Sequence, residues 1–250
     1  MNAIYFYIGV GATFTAIMAA VVAIIYVEVQ PKPTPNNSNN SSSSSIAGNY
    51  TILGNYSLDQ RYFLEGLEFI DSTHLLLSEG WYGDSGFSIL SIDNNLMTMK
   101  EDSNFPMSTK YFGEGAVYFP KDGMIYELTW TDGVILVYSN LMNSGLNTTY
   151  LMNLPLPAKI GEGWGMTYDN DYLYISNGST TIFVCDPSPE GLTVVSTITV
   201  DTQGRNPHFN ELEMRENMYI YANSFLTSDV YKFSKVDGTL LKVWDMSELL

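Results

Sequence analysis

A strand-and-turn phrase recurs along most of this chain at a nearly constant spacing, and it constrains the fold more than any other feature. The phrase is a turn, three apolar positions, a polar tract, then a second apolar run ending in Asp or Ser. It occurs as HLLLSEGWYGDSGFSILSID, GMIYELTWTDGVILVYSN, DYLYISNGSTTIFVCDP and NMYIYANSFLTSDVYKFSKVDG. The centres fall near residues 76, 126, 174 and 220, a period of roughly 46–50 residues that matches one four-stranded propeller blade. A blade cannot bury both of its faces alone, so neighbours must stack around a central channel. A two-sheet β-sandwich with evenly spaced strands is the competing architecture. After residue 30 the apolar runs are short, rich in Tyr, Ile, Val, Thr and Phe, and separated by Gly, Asn, Asp and Ser, with no helical period.

The N-terminus is different. Ile4 to Val27 carries no charged side chain. At 1.5 Å per residue a helix of that length spans roughly 36 Å, more than the ~30 Å hydrocarbon core. A cleavable signal would have a basic start and a shorter apolar stretch. Residues 1–29 are therefore predicted to be a transmembrane signal anchor. Residues 30–48, rich in Asn, Ser and Pro, read as a flexible linker, and 49–250 as the globular domain. The lone nearby cation, Lys32, sits on the C-terminal flank. The N-x-S/T sequons at Asn36, Asn39, Asn40, Asn49, Asn55, Asn147 and Asn177 favour the opposite orientation, a glycoprotein with its globular part in the secretory lumen or outside the cell.

Composition narrows the chemistry. Eleven basic and 27 acidic side chains give a formal charge of −16, which argues against a nucleic-acid partner. The single cysteine, Cys185, excludes an internal disulfide and a thiolate zinc cage; in the strand IFVCDP it reads as a small core residue. With only His74 and His208, a tri-histidine metal site is excluded too. No nucleophile elbow, Walker loop, H-E-x-x-H or C-x-x-C is present. Asp169–Asp171 lacks the glycine and distal glutamate of a calcium loop and reads as a turn.

What remains is a glycine, carboxylate and aromatic phrase ahead of each repeat: Phe63-Leu64-Glu65-Gly66-Leu67, Tyr111-Phe112-Gly113-Glu114-Gly115, Gly161-Glu162-Gly163-Trp164-Gly165 and Asn210-Glu211-Leu212-Glu213. In a propeller the residues entering each innermost strand face the channel, and glycines there let backbones crowd the axis. Glu65, Glu114, Trp164 and Asn210 are thus expected to converge, with Trp130 walling the same cavity. Taken singly, each has a plainer reading: a solvated turn carboxylate, a core Trp, a strand-capping Asn.

From about Tyr50 to Leu250 these phrases resemble the plant- and bacterial-type glutaminyl-peptide cyclotransferases. The similarity is densest in YFGEG…IYELTWTDGVILVY, GEGWGMT…LYISNGSTTIFVCDP and NELE…IYAN…DGTLL…WDMSELL. The resemblance implies an all-β, five-bladed β-propeller and conversion of the N-terminal glutaminyl residue of peptides to pyroglutamate with release of ammonia. It implies neither cofactor nor metal. It further implies Glu114 as the catalytic proton shuttle and Asn210 as the catalytic amide stabilising charge on the carboxamide oxygen. Phe63, Glu65, Trp130, Trp164 and Phe225 are the implied substrate-binding positions.

Three departures stand out. Glu65 occupies the place of the family's glutamine, bringing a second carboxylate near Glu114. Phe225 stands for a third pocket tryptophan and lacks the indole donor. The family's last segment supplies a further blade portion and a pocket lysine, whereas here WDMSELL ends the sequence, so the propeller is expected to be truncated in its last blade, with the strand around Tyr50–Leu58 lacking its C-terminal partner. These departures favour a second function, a catalytically weak or inactive propeller that binds peptide or glycan ligands at the same channel.

Overall fold

The computed structural model describes residues 47–48, 50, 63–93, 98–139 and 148–249, together with the backbone of short strand segments at 21–22, 25–26, 51–52 and 56–57. Those segments are β1 (Val21–Val22), β2 (Ile25–Tyr26), β3 (Thr51–Ile52) and β4 (Tyr56–Ser57); β1 pairs antiparallel with β4, and β2 with β3. At these four N-terminal positions the backbone is extended where the sequence predicts helix. The rest of the expected anchor, the linker up to residue 46, and the sequons other than Asn177 lie outside the described residues. Among the described residues no helix is long and apolar enough to cross a membrane. Within the segment expected to lack a partner, Thr51–Ile52 and Tyr56–Ser57 therefore pair with residues of the N-terminal apolar stretch. Just before it, Ala47 makes a parallel bridge to Val243.

The domain itself is an all-β, propeller-like array of four blades, each an antiparallel four-stranded meander. Blade one holds β5 (Leu64–Phe69), β6 (His74–Glu79), β7 (Gly86–Asp93) and β8 (Thr98–Pro106). Blade two holds β9 (Gly113–Phe119), β10 (Met124–Thr129), β11 (Val134–Ser139) and β12 (Thr149–Pro155). Blade three holds β13 (Met166–Tyr168), β14 (Leu173–Ile175), β15 (Thr181–Ser188) and β16 (Gly191–Thr199). Blade four holds β17 (Phe209–Arg215), β18 (Tyr219–Ser224), β19 (Asp229–Ser234) and β20 (Leu240–Asp245), followed by a single 3-10 turn, Ser247–Leu249.

The stacking follows from the two-residue period of a strand. In β15, Phe183 and Cys185 point into a core shared with Val117, Phe119 and Leu128 of blade two, while Ile182 and Val184 point into a core shared with Phe209, Leu212 and Phe233 of blade four. In β11, Ile135 and Val137 face blade three, and Leu136 and Tyr138 face Leu76, Phe87 and Ile89 of blade one. Middle strands are buried on both faces, which is why they read as nearly continuous apolar runs. The core is thus a series of inter-blade layers. Burial pushes the Cys185 thiol up to about 12, as suits an inert core residue.

Turn chemistry is as local as the sequence suggests. Asp169 accepts the N–H groups of Asp171 and Tyr172 at 2.8 Å each, so the Asp-Asn-Asp run is a turn. Its second oxygen takes Tyr174 Oη and Lys235 Nζ, both at 2.7 Å, tying blade three to blade four. Asn177 donates from Nδ2 to the Ile160 carbonyl at 2.7 Å, so a glycan on that nitrogen would cost an internal hydrogen bond.

Candidate active site at the mouth of the channel

Every blade presents the same end of its first two strands to one mouth. A backbone hydrogen bond joins the residue ahead of the first strand to the residue after the second: Gly80 N to Phe63 O, Trp130 N to Phe112 O and Phe225 N to His208 O. In blade three the corresponding bond runs from Ser176 N to Gly165 O. The register slips at this end in blades one, two and four, between Leu64 and Gly66, between Glu127 and Thr129, and between Phe209 and Leu212. Bulges there re-aim the side chains that enter the channel. Glu65, Glu114, Trp164 and Asn210 thereby occupy equivalent positions in successive blades, as the repeat predicts.

One position further in, the sequence has Gly66, Gly115, Gly165 and then Glu211. A Cβ on Gly165 would lie 2.1 Å from Asn210 O, and one on Gly115 would lie 2.8 Å from Glu211 Oε2. Small residues in three blades therefore leave room for one long side chain from the fourth. The Glu211 carboxylate fills the axis and accepts the backbone N–H groups of Met166 and Leu67, from blades three and one. Its Oε2 has no hydrogen-bond partner.

The channel mouth is acidic, and burial raises the proton affinity of Glu65 and Glu114. Burial, with Glu65, Glu211 and Glu162 nearby, raises Glu114 well above the usual carboxylate range. Burial lifts Glu65 to about 8. Deeper in, burial drives up Glu211 and Glu68, and Glu213 to about 7 even with the Arg215 guanidinium opposing it. Arg215 Nη1 is 3.6 Å from Glu213 Oε1. Among the described residues no group of three or more His, Cys, Asp or Glu side chains is arranged to hold a metal ion.

Around the rim runs a chain of rings. Trp81 and Phe112 lie 5.5 and 6.3 Å from Phe63, and Phe112 stands edge-on to Trp130 at 5.8 Å. Trp164 stands edge-on to Phe225 at 5.5 Å. The two halves of the arc meet at Glu162, whose Oε2 accepts Trp130 Nε1 at 2.8 Å and Trp164 Nε1 at 2.9 Å. The predicted positions Phe63, Trp130, Trp164 and Phe225 thus share one rim, with Glu65 and Glu114 beneath it. Asn210 heads β17 with its carbonyl held by Ser176 Oγ at 2.6 Å. The sequence reading passed over Phe112, Trp81, Glu162 and Glu211. Phe112 was findable, because Phe-x-Glu opens both Phe63–Glu65 and Phe112–Glu114. Glu211 was not, since its importance lies in glycines of other blades.

An all-β blade array with a buried carboxyl at the channel mouth, ringed by tryptophans, defines a propeller whose site is assembled from the heads of its inner strands. Comparison with known proteins gives that class a family. The glutamine cyclotransferase family model matches residues 20–250, and the chain belongs to that family. It is 30% identical over 182 residues to a glutaminyl-peptide cyclotransferase of Arabidopsis thaliana, a match covering 71% of this chain and 51% of the relative. The matched region thus spans about half the length of that plant protein. The crystal structure of Myxococcus xanthus glutaminyl cyclase superposes with a TM-score of 0.61 at 28% identity, covering 75% of this chain and 72% of that one.

Proposed function

We propose that this protein is a glutaminyl-peptide cyclotransferase, converting the N-terminal glutaminyl residue of a peptide to pyroglutamate with release of ammonia. The names of its plant and bacterial relatives support the reaction. The observation that carries it is Glu114, a buried carboxyl with raised proton affinity beneath a ring of aromatic side chains. The neutral α-amine attacks its own side-chain amide carbon. A C–N bond forms, and the amine proton passes to the Glu114 carboxylate. Glu114 returns that proton to the side-chain nitrogen as its C–N bond breaks and ammonia leaves. A carboxyl whose proton affinity is raised above the usual carboxylate range suits both halves of this transfer. Asn210 is the amide donor for the developing oxyanion, and Phe63, Trp130, Trp164 and Phe225 hold the short side chain in a folded, near-attack shape. Glu65, neutral at pH 7 with a pKa of about 8, offers a carboxylic O–H beside the reacting group without adding a second charge.

The same reading extends to the rest of the chain. The propeller is a five-bladed one, and the apolar residues ahead of Val21 anchor a glycosylated globular domain on the luminal or extracellular side. The test is ammonia release from a glutaminyl dipeptide by the full chain beside Glu114→Gln. Turnover that falls by about 10²–10⁴-fold in the variant, with an unchanged circular dichroism spectrum, supports the shuttle. A folded wild-type protein that binds glutaminyl peptides without turnover overturns the enzyme and leaves the ligand-binding propeller.

A further inference from the structure

We propose that Glu162 is a positioning residue for the channel mouth, a carboxylate clamp that holds the indoles of Trp130 and Trp164 as the two walls of the slot receiving the glutaminyl side chain. The slot and its substrate rest on the cyclotransferase reading above; the clamp itself rests on geometry. Trp130 follows β10 in blade two, and Trp164 precedes β13 in blade three, so no strand ladder fixes one ring relative to the other. Each ring is held on one side by an aromatic edge, Phe112 for Trp130 and Phe225 for Trp164. On the other side each gives its only polar hydrogen to the same oxygen, Glu162 Oε2, at 2.8 and 2.9 Å. An indole N–H is donor only, so a shared anionic acceptor is the simplest group that can fix two of them together. The backbone reinforces the arrangement: Gly163 N donates to the Trp130 carbonyl, and Gly115 N, next to Glu114, donates to the Trp164 carbonyl. Glu162 therefore links both walls to the strand that carries the buried carboxyl. Its own charge also lies close enough to weigh on Glu114.

Two substitutions separate the acceptor from the charge. Glu162→Gln keeps an oxygen able to accept both indoles but removes the charge, whereas Glu162→Ala removes both. The first readout needs no activity: the four tryptophan indole N–H signals in the 15N spectrum of the full chain. Signals of Trp130 and Trp164 are assigned by Trp130→Phe and Trp164→Phe. In Glu162→Ala these two are expected to move upfield and exchange faster with solvent, while those of Trp81 and Trp244 stay in place. In Glu162→Gln all four are expected to stay near wild-type positions. Kinetically, Glu162→Ala should raise KM for a glutaminyl dipeptide about tenfold, the worth of one charge-assisted hydrogen bond, with kcat within about threefold. Glu162→Gln should keep KM and move the acidic limb of kcat/KM to lower pH, because removing a negative neighbour lowers the Glu114 pKa. Unmoved indole signals in Glu162→Ala overturn the clamp, as does a glutamine variant that behaves like the alanine one. A wild-type protein without turnover but with the expected indole shifts retains the clamp and removes the cyclotransferase reading, so the two failures are distinguishable.

Discussion

Glu65→Gln replaces a half-buried carboxyl at the channel mouth by a neutral group of the same shape, and its effect on stability can be worked out from the structure. Burial lifts Glu65 from 4.5 to about 8. A carboxyl whose folded pKa is raised contributes stability that is fully present below the unfolded value and is lost as pH rises through the folded one. Between pH 4.5 and 8 the folded chain thus keeps a proton that the unfolded chain has released. Each unit of that window is worth about 1.4 kcal/mol, so the cost is about 3 kcal/mol at pH 7 and about 5 kcal/mol above pH 8. Glutamine carries no such proton. The variant should match wild type at pH 4 and exceed it at pH 7 by about 2–3 kcal/mol, since Glu114 faces Glu65 and shares part of the linkage. Urea denaturation followed by circular dichroism, at half-unit steps from pH 4 to 9, measures it. Wild-type stability should fall across the window, and the variant's should fall less steeply. Two parallel curves, or a variant less stable than wild type at pH 7, would refute the reasoning that a protonated, desolvated carboxyl occupies this position.

Other outcomes follow from particular contacts. Trp244→Ala removes a ring only 1% exposed, stacked on Tyr221 at 5.8 Å, and should destabilise the chain by about 3–5 kcal/mol in urea denaturation. Gly178→Ala sets a Cβ 2.7 Å from the Trp164 ring at a φ of +75°, so thermal stability should drop and KM should rise. Gly204→Ala, at φ +83° with nothing within 4 Å of the added Cβ, should lose about 1–2 kcal/mol and keep its KM. Asp169 sits at about 2: burial opposes its charge, but hydrogen bonds from Lys235 and Tyr174 outweigh that. A depressed carboxylate gives stability that is present above its unfolded pKa of 3.8 and is lost as pH falls through about 2. Lys235→Met should thus cost about 2–4 kcal/mol at pH 7, with the deficit shrinking as pH falls from 3.8 toward 2 in acid titrations.

The blade repeat was legible because propeller stacking buries both faces of the middle strands, and that demand writes itself into sequence as short apolar runs at a fixed period. The run Ile182–Cys185 is an example: its alternate residues serve two different cores, and all four are apolar. Glu65, Glu114, Trp164 and Asn210 were legible for the same reason, since equivalent places in a repeat must meet at the axis. The helical expectation for the N-terminal stretch was drawn from apolarity alone. Val21–Val22 and Ile25–Tyr26 are instead paired with 56–57 and 51–52, because β-branched apolar residues satisfy a strand as readily as a helix and the available partner decides.

What the sequence determined by itself is the all-β class, the period, the family, the shortage of metal ligands and the level at which the site lies in each blade. These depend on residue type and spacing along one chain. Only the tertiary structure decided that Glu211 spans the axis, that Glu162 joins two tryptophans from different blades, and that Glu65 at the mouth is pushed up to about 8. Each of those depends on distances between blades and on the water that stacking excludes. A carboxylate beside a glycine looks the same in sequence whether it stands in solvent or shares a desolvated channel, and the free energy that separates the two comes from the neighbours the fold brings to it.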